Sequence, residues 1–166
     1  MKSEALFING VFESTLEEIL LVQQTLPEHI MFLQPYSSDT IVRLRDDPPT
    51  IDNPTRLYLS TTNDLPTISY IAEIVHWDDK RDLSENERKR NAISRLIWTL
   101  QPNETGLYDA SRVPDKPSVN LLHVRRMRKL DSPFSVTELT KTSDGKPLSP
   151  DRSTAGGWSY VWVKDA

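Results

Sequence analysis

Three stretches of the chain carry side chains whose types and spacing could do chemistry. The first is aromatic: Trp158, Tyr160 and Trp162 alternate near the end of the sequence, so a strand would set all three on one face. Such a face either offers a platform on which a nucleic-acid base stacks, worth roughly 1–3 kcal/mol per base, or closes a hydrophobic core. The second is basic: His123, Arg125, Arg126, Arg128 and Lys129 fall within seven residues. Read as a regular strand, Arg126 and Arg128 point one way, and Arg125 and Lys129 the other. The cluster is then either a set of phosphate contacts or a strand end that is wet on both faces. The third is Glu73-Ile74-Val75-His76-Trp77-Asp78-Asp79. Here a histidine stands near carboxylates and could bind metal or move protons, or simply mark a polar strand end. On a regular strand Glu73 shares a face with Val75 and Trp77, and His76 with Ile74 and Ala72.

Other chemistries find no motif. The chain has no cysteine, so disulfides, thiolate-bound zinc, iron–sulfur clusters and a thiol nucleophile are all excluded. The three histidines, His29, His76 and His123, lie far apart, and neither H-x-H nor H-E-x-x-H spacing occurs. Five glycines form no phosphate-cradling loop, and no G-x-S-x-G elbow is present. No cofactor and no metal are expected.

The elements that must position these groups read as follows. Ala5–Phe12 is a first strand, bent at Asn9-Gly10. Ser14-Thr15-Leu16-Glu17 fits a capping box for a helix with Leu16, Ile19 and Leu20 on its apolar side, stopped by Pro27. Ile30–Leu33 is a buried strand, and Ser38-Asp39 caps a short helix to Leu44. Pro48, Pro49 and Pro54 make Asp46–Pro54 a loop, since they lack amide donors. The centre is Thr55–Lys80: strands Arg56–Ser60 and Ser69–Trp77 joined by a turn with Asn63, Asp64 and Pro66. A second helix starts at the capping box Ser84–Glu87, with Ile93, Leu96, Ile97 and Leu100 as its stripe, and ends at Pro102. Asn103–Ser118 is a long loop, of a length that suits a lid or binding role. Asn120–Leu130 is a strand, Pro133-Phe134-Ser135 a turn, and Val136–Leu139 a helical turn. The pair Gly156-Gly157 marks a sharp turn before the last strand, Trp158–Val163. Runs of strands with two main helices predict a single α+β domain with a small, mostly antiparallel, curled sheet or pseudobarrel.

Composition sets the outer limits. A chain of 166 residues with 37% hydrophobic and 27% charged residues is large enough for one real core. A formal charge of −4 gives no global attraction to nucleic acid or anionic membrane, leaving only local patches. The opening MKSEALFINGVF is a poor signal peptide, and apolar runs fall far short of the roughly 20 residues that span a bilayer. The expectation is a cytoplasmic protein without a membrane partner.

The stretch LYLSTTNDLPTISYIAEIVHW (Leu57–Trp77) resembles the core strands of PUA-like domains, of the ASCH and EVE branches in particular. NLLHVRRMRKLDSPFSVTEL (Asn120–Leu139) is similar to the strand and Pro-Phe segment that follow there, and FLQPYS (Phe32–Ser37) falls where such domains shape a pocket. The resemblance covers Ile30–Val163. It implies a pseudobarrel whose cleft binds RNA or DNA through one modified or flipped base. Trp77, Trp158 or Trp162 would stack on that base, Tyr36 would line the cleft, and Arg125, Arg126 and Arg128 would contact phosphates. Some ASCH members are amidohydrolases with a Lys–Thr–Glu set. Glu73 matches the glutamate by strand position, but Gln23, Gln24 and Thr25 stand where the lysine and threonine belong. Two alternatives accompany the nucleic-acid reading: an adaptor that binds a partner protein, and a small hydrolase of modified nucleosides.

Overall fold

A computed structural model of the protein describes residues 1–33, 42–78 and 121–164. The elements are β1 (Glu4–Val11), α1 (Glu13–Gln23), β2 (Met31–Leu33), α2 (Val42–Asp46), β3 (Thr55–Thr61), β4 (Thr67–Asp78), β5 (Leu121–Ser135) and β6 (Trp158–Trp162). The expected helix from Ser84, the loop Asn103–Ser118 and Tyr36 lie outside the described residues.

All six strands form one mixed sheet in the order β2-β5-β4-β3-β1-β6, curled into a half-barrel, so the α+β expectation holds. Only β1 and β3 run parallel; every other neighbouring pair is antiparallel. The β6 edge is covered by the segment after β5, where the Trp162 amide donates to the Thr140 carbonyl (3.0 Å) and Thr142 donates to Tyr160 (3.1 Å).

Strand alternation divides the apolar residues between two cores. On one face Leu6, Ile8, Leu57, Leu59, Tyr70 and Ala72 pack against Leu16 and Ile19 of α1. On the other, Phe7, Tyr58, Ile71 and Val161 lie beneath Val136, Leu139 and Leu148. The sheet is therefore buried from both sides, which is why β1 reads as a nearly continuous apolar run.

Helix α1 starts one residue before the expected capping box. Phe12 is its N-cap and makes no side-chain cap bond. Pairing of β1 with β3 runs to Val11↔Thr61, so the chain turns directly into the helix, and Glu13 supplies the negative charge that suits a helix start. The kink expected at Asn9-Gly10 is present as a register shift between Ile8 and Val11. Gly10 has φ +77°, and a Cβ there would come within 2.7 Å of both Ala155 and Leu65. The Asn9 amide donates to the carbonyls of Thr154 (3.1 Å) and Gly156 (2.8 Å), pinning the loop before β6.

Strand β5 departs most from a regular reading. Pro133-Phe134-Ser135 is not a turn; β5 runs through it, and Phe134 pairs with Ile68. Between Lys129 and Phe134 β5 uses five residues where β4, from Tyr70 to Ile68, uses two. The excess bulges outward, and Pro133, which has no N–H for the ladder, sits in it. A second bulge lies between Arg125 and Arg128, opposite Glu73 and Ile71, and Arg126 within it has φ +55°. A third, between Ile74 and His76, belongs to β4.

The Arg126 bulge leaves backbone groups without ladder partners, and α1 supplies them. The fully buried Gln23 amide donates to the Val124 carbonyl (2.9 Å) and the His29 carbonyl (2.7 Å), while its oxygen accepts from the Met127 N–H (2.8 Å). The Arg126 N–H donates to Pro27 (2.9 Å).

Candidate functional site

The bulges decide where the candidate side chains go. Because one extra residue lies between Arg125 and Arg128, these two share a sheet face, and Lys129, which pairs with Tyr70, is on the other. The expected division of the arginines is thus overturned by the bulge. The β4 bulge does the same for Trp77, which packs with Tyr70, Ala72 and Ile74 rather than sharing a face with Glu73.

Trp77 is half-buried, donates from Nε1 to the Leu44 carbonyl (3.2 Å), and has the Arg45 guanidinium 5.9 Å from its ring centre. It anchors α2. Trp158 is half-buried against the first core, edge-on to Tyr160 at 5.7 Å. Trp162 alone of the three remains open, with 49% of its surface exposed.

The arginines also separate. Arg125 is nearly buried: its Nε donates to Glu73 (3.0 Å), and its terminal nitrogens to Glu28 (3.3 Å) and the Ile51 carbonyl (2.8 Å). Arg126 donates to Glu28 and reaches Glu73 at 3.4 Å; Glu28 first, and then Glu73, hold its pKa above the usual arginine value. Arg128 is exposed. It lies on the face opposite Trp162 with three strands between them, so the expected stacking and phosphate residues do not converge. The Glu73 carboxylate, the hydrolase candidate, is buried between the Arg125 and Arg126 guanidinium groups. His76 and His123 stack edge to face at 4.8 Å, but no group of three or more metal-binding side chains occurs among the described residues.

What does converge is a cleft at the end of the sheet where β1 and β3 begin and β6 ends. Strand register builds it: Trp162 lies directly opposite Glu4, Tyr160 opposite Leu6, and Leu57 beside Leu6, all on the α1 face. The cleft holds about 260 Å³ and is lined by Lys2, Glu4, Asp47, Asn53, Thr55 and Tyr160 among others. Its rim is tied across by the Lys2–Asp47 ion pair (2.7 Å) and by the Lys2 amide bonded to Pro54 (3.0 Å). The Thr55 hydroxyl is buried and has no hydrogen-bond partner among the described residues. Beside the Lys2–Asp47 pair the lining carries the Glu4 carboxylate and the Asn53 amide, whose oxygens suit a ligand that donates hydrogen bonds.

Of the residues that line this cleft, the aromatic alternation of the last strand points to Tyr160, and Trp162 stands next to it opposite Glu4. Glu4, Thr55 and Asn53 carried no motif, and the alternation of Glu4 with Leu6 and Ile8 was the one available sign that its carboxylate stands in line with the core face.

The chain matches no family model, no curated protein and no solved structure.

Proposed function

We propose that the protein is a nucleic-acid-binding domain of the PUA-like kind that takes a single, flipped or modified base into the cleft beside Trp162. The observation that carries this reading is the half-exposed Trp162, which strand pairing sets opposite Glu4 and two residues on from Tyr160, both of which line the cleft. A volume of about 260 Å³ is just below the roughly 300–1,000 Å³ range of drug-sized pockets and fits one ring system better than a polynucleotide track. The indole supplies a stacking face, while Glu4 and Asn53 supply acceptors for the N–H groups of a base edge. The curled mixed sheet is compatible with a PUA-like pseudobarrel. The net charge of −4 favours one-base recognition over tracking along a strand.

Tryptophan fluorescence, titrated with short RNA and DNA oligonucleotides and with modified nucleosides, tests this reading. Saturable quenching is expected for at least one ligand class, and Trp162→Ala should abolish it while circular dichroism and the melting temperature stay unchanged. A flat response across the panel, or quenching that survives in Trp162→Ala, sinks the reading.

A further inference from the structure

The opposite face of the sheet carries a separate charge pattern. Arg56 of β3, Glu73 of β4 and Arg125 of β5 stand in one row, with Tyr58, Ile71 and Arg128 in the next. With Arg126 and Glu28 this makes four guanidinium groups around two carboxylates. Both carboxylates are engaged by Arg125 and Arg126. Neither the Arg56 nor the Arg128 side chain has a hydrogen bond or ion pair with any described residue, and Arg56 is only partly exposed.

A guanidinium half out of water with no hydrogen-bonding carboxylate is an unfavourable arrangement. Burial pushes the Arg56 pKa down; nearby Glu73 raises it, and the positive charge of Arg128 lowers it again. The patch thus holds two uncompensated positive charges on a chain whose net charge is −4. Arg56 and Arg128 are separated by one strand and offset by one row, so their backbones stand roughly 12 Å apart. Two long side chains on that spacing can close on one tetrahedral oxyanion, and each presents a planar fork of donors suited to phosphate oxygens.

We infer that Arg56 and Arg128 form an oxyanion site that takes a phosphate group, free or as part of a phosphodiester. It is independent of the base cleft, since it lies on the other face and shares no side chain with it.

Calorimetric titration of the full chain with inorganic phosphate, and with a short oligothymidylate lacking terminal phosphates, tests this inference. Binding of either probe is expected, weakened about tenfold by Arg56→Gln or Arg128→Gln and lost in the double variant. Binding of phosphate alone would assign the site to a small oxyanion, and tighter binding of the oligonucleotide would assign it to a phosphodiester. Lys146→Gln, an exposed lysine in the turn beside β6, serves as the control and should keep wild-type affinity. The melting temperature separates a site from a structural role: without ligand both arginine variants should melt at or above the wild type, because a like-charge repulsion is removed. Phosphate should raise the melting temperature of the wild type most, of the single variants less, and of the double variant not at all. No binding of either probe, undiminished binding in the double variant, or a large drop in melting temperature for Arg56→Gln would overturn the inference.

Discussion

At the scale of single residues, Gln23 and Gly10 carry more of the architecture than their types suggest. Gln23 satisfies three backbone groups from a fully buried position, two on either side of the β5 bulge and the third, the His29 carbonyl, in the segment before β2. Gln23→Leu keeps the volume but orphans them, and each unmet buried group costs about 1–3 kcal/mol. A loss of about 3 kcal/mol in urea unfolding is expected, with an unchanged m-value. Gly10 and Gly145 share a positive φ, of 77° and 71°, yet differ in surroundings. A Cβ at Gly10 collides with Ala155 and Leu65, whereas at Gly145 it meets nothing within 4 Å. Gly145→Ala should therefore cost only the left-handed strain, about 1 kcal/mol. Gly10→Ala should cost at least about 2 kcal/mol more, because a packed interior cannot give way cheaply. Equal losses would show that the contact at Gly10 relaxes freely.

At the scale of elements, β5 shows how bulges govern placement. The run His123–Lys129 reads as an alternating strand, and its charge pattern alone suggests a two-sided wet edge. One inserted residue instead directs Arg125 into the row of Glu73 and buries both. Their side chains are only 7% and 8% exposed, so breaking the pair should be costly. Glu73→Leu is expected to destabilise by about 3 kcal/mol, while the double variant Glu73→Leu, Arg125→Met should recover most of that loss. A double-mutant cycle in chemical denaturation measures this coupling; additive losses would mean that Arg125 is held well enough by Glu28 and Ile51. The same reasoning applies to the aromatic strand. Its alternation in β6 follows from period 2, but the neighbours of β6 determine that Trp158 and Tyr160 pack inward while Trp162 stands clear.

At the scale of the whole molecule, charge is locally organised against its net sign, and stability should follow pH at both extremes. Glu13 accepts hydrogen bonds from Lys129 (3.2 Å) and Tyr70 (3.1 Å), which hold its carboxyl below the usual carboxylate range. Its contribution is thus present at neutral pH and lost as pH falls through its lowered folded value. Burial, and then the bond to Glu13, push the Tyr70 phenol well above its ordinary value near 10. Its contribution is intact below pH 10 and disappears as the phenol ionises on further alkalinisation. Glu13→Gln should flatten the acid limb of the stability–pH curve and lower the alkaline onset for Tyr70; an unchanged curve would show the tie to be inert. Among the described residues no helix is long and apolar enough to cross a membrane. By itself the sequence determined the α+β class, most strand positions, the bend at Asn9-Gly10 and the alternation of the last strand, because residue type and spacing fix these locally. Only the tertiary structure decided which tryptophan stays exposed, which arginines are paired, and which distant residues line one cleft. Those outcomes depend on strand order and on bulges, and one added residue in a strand moves every later side chain to the opposite face.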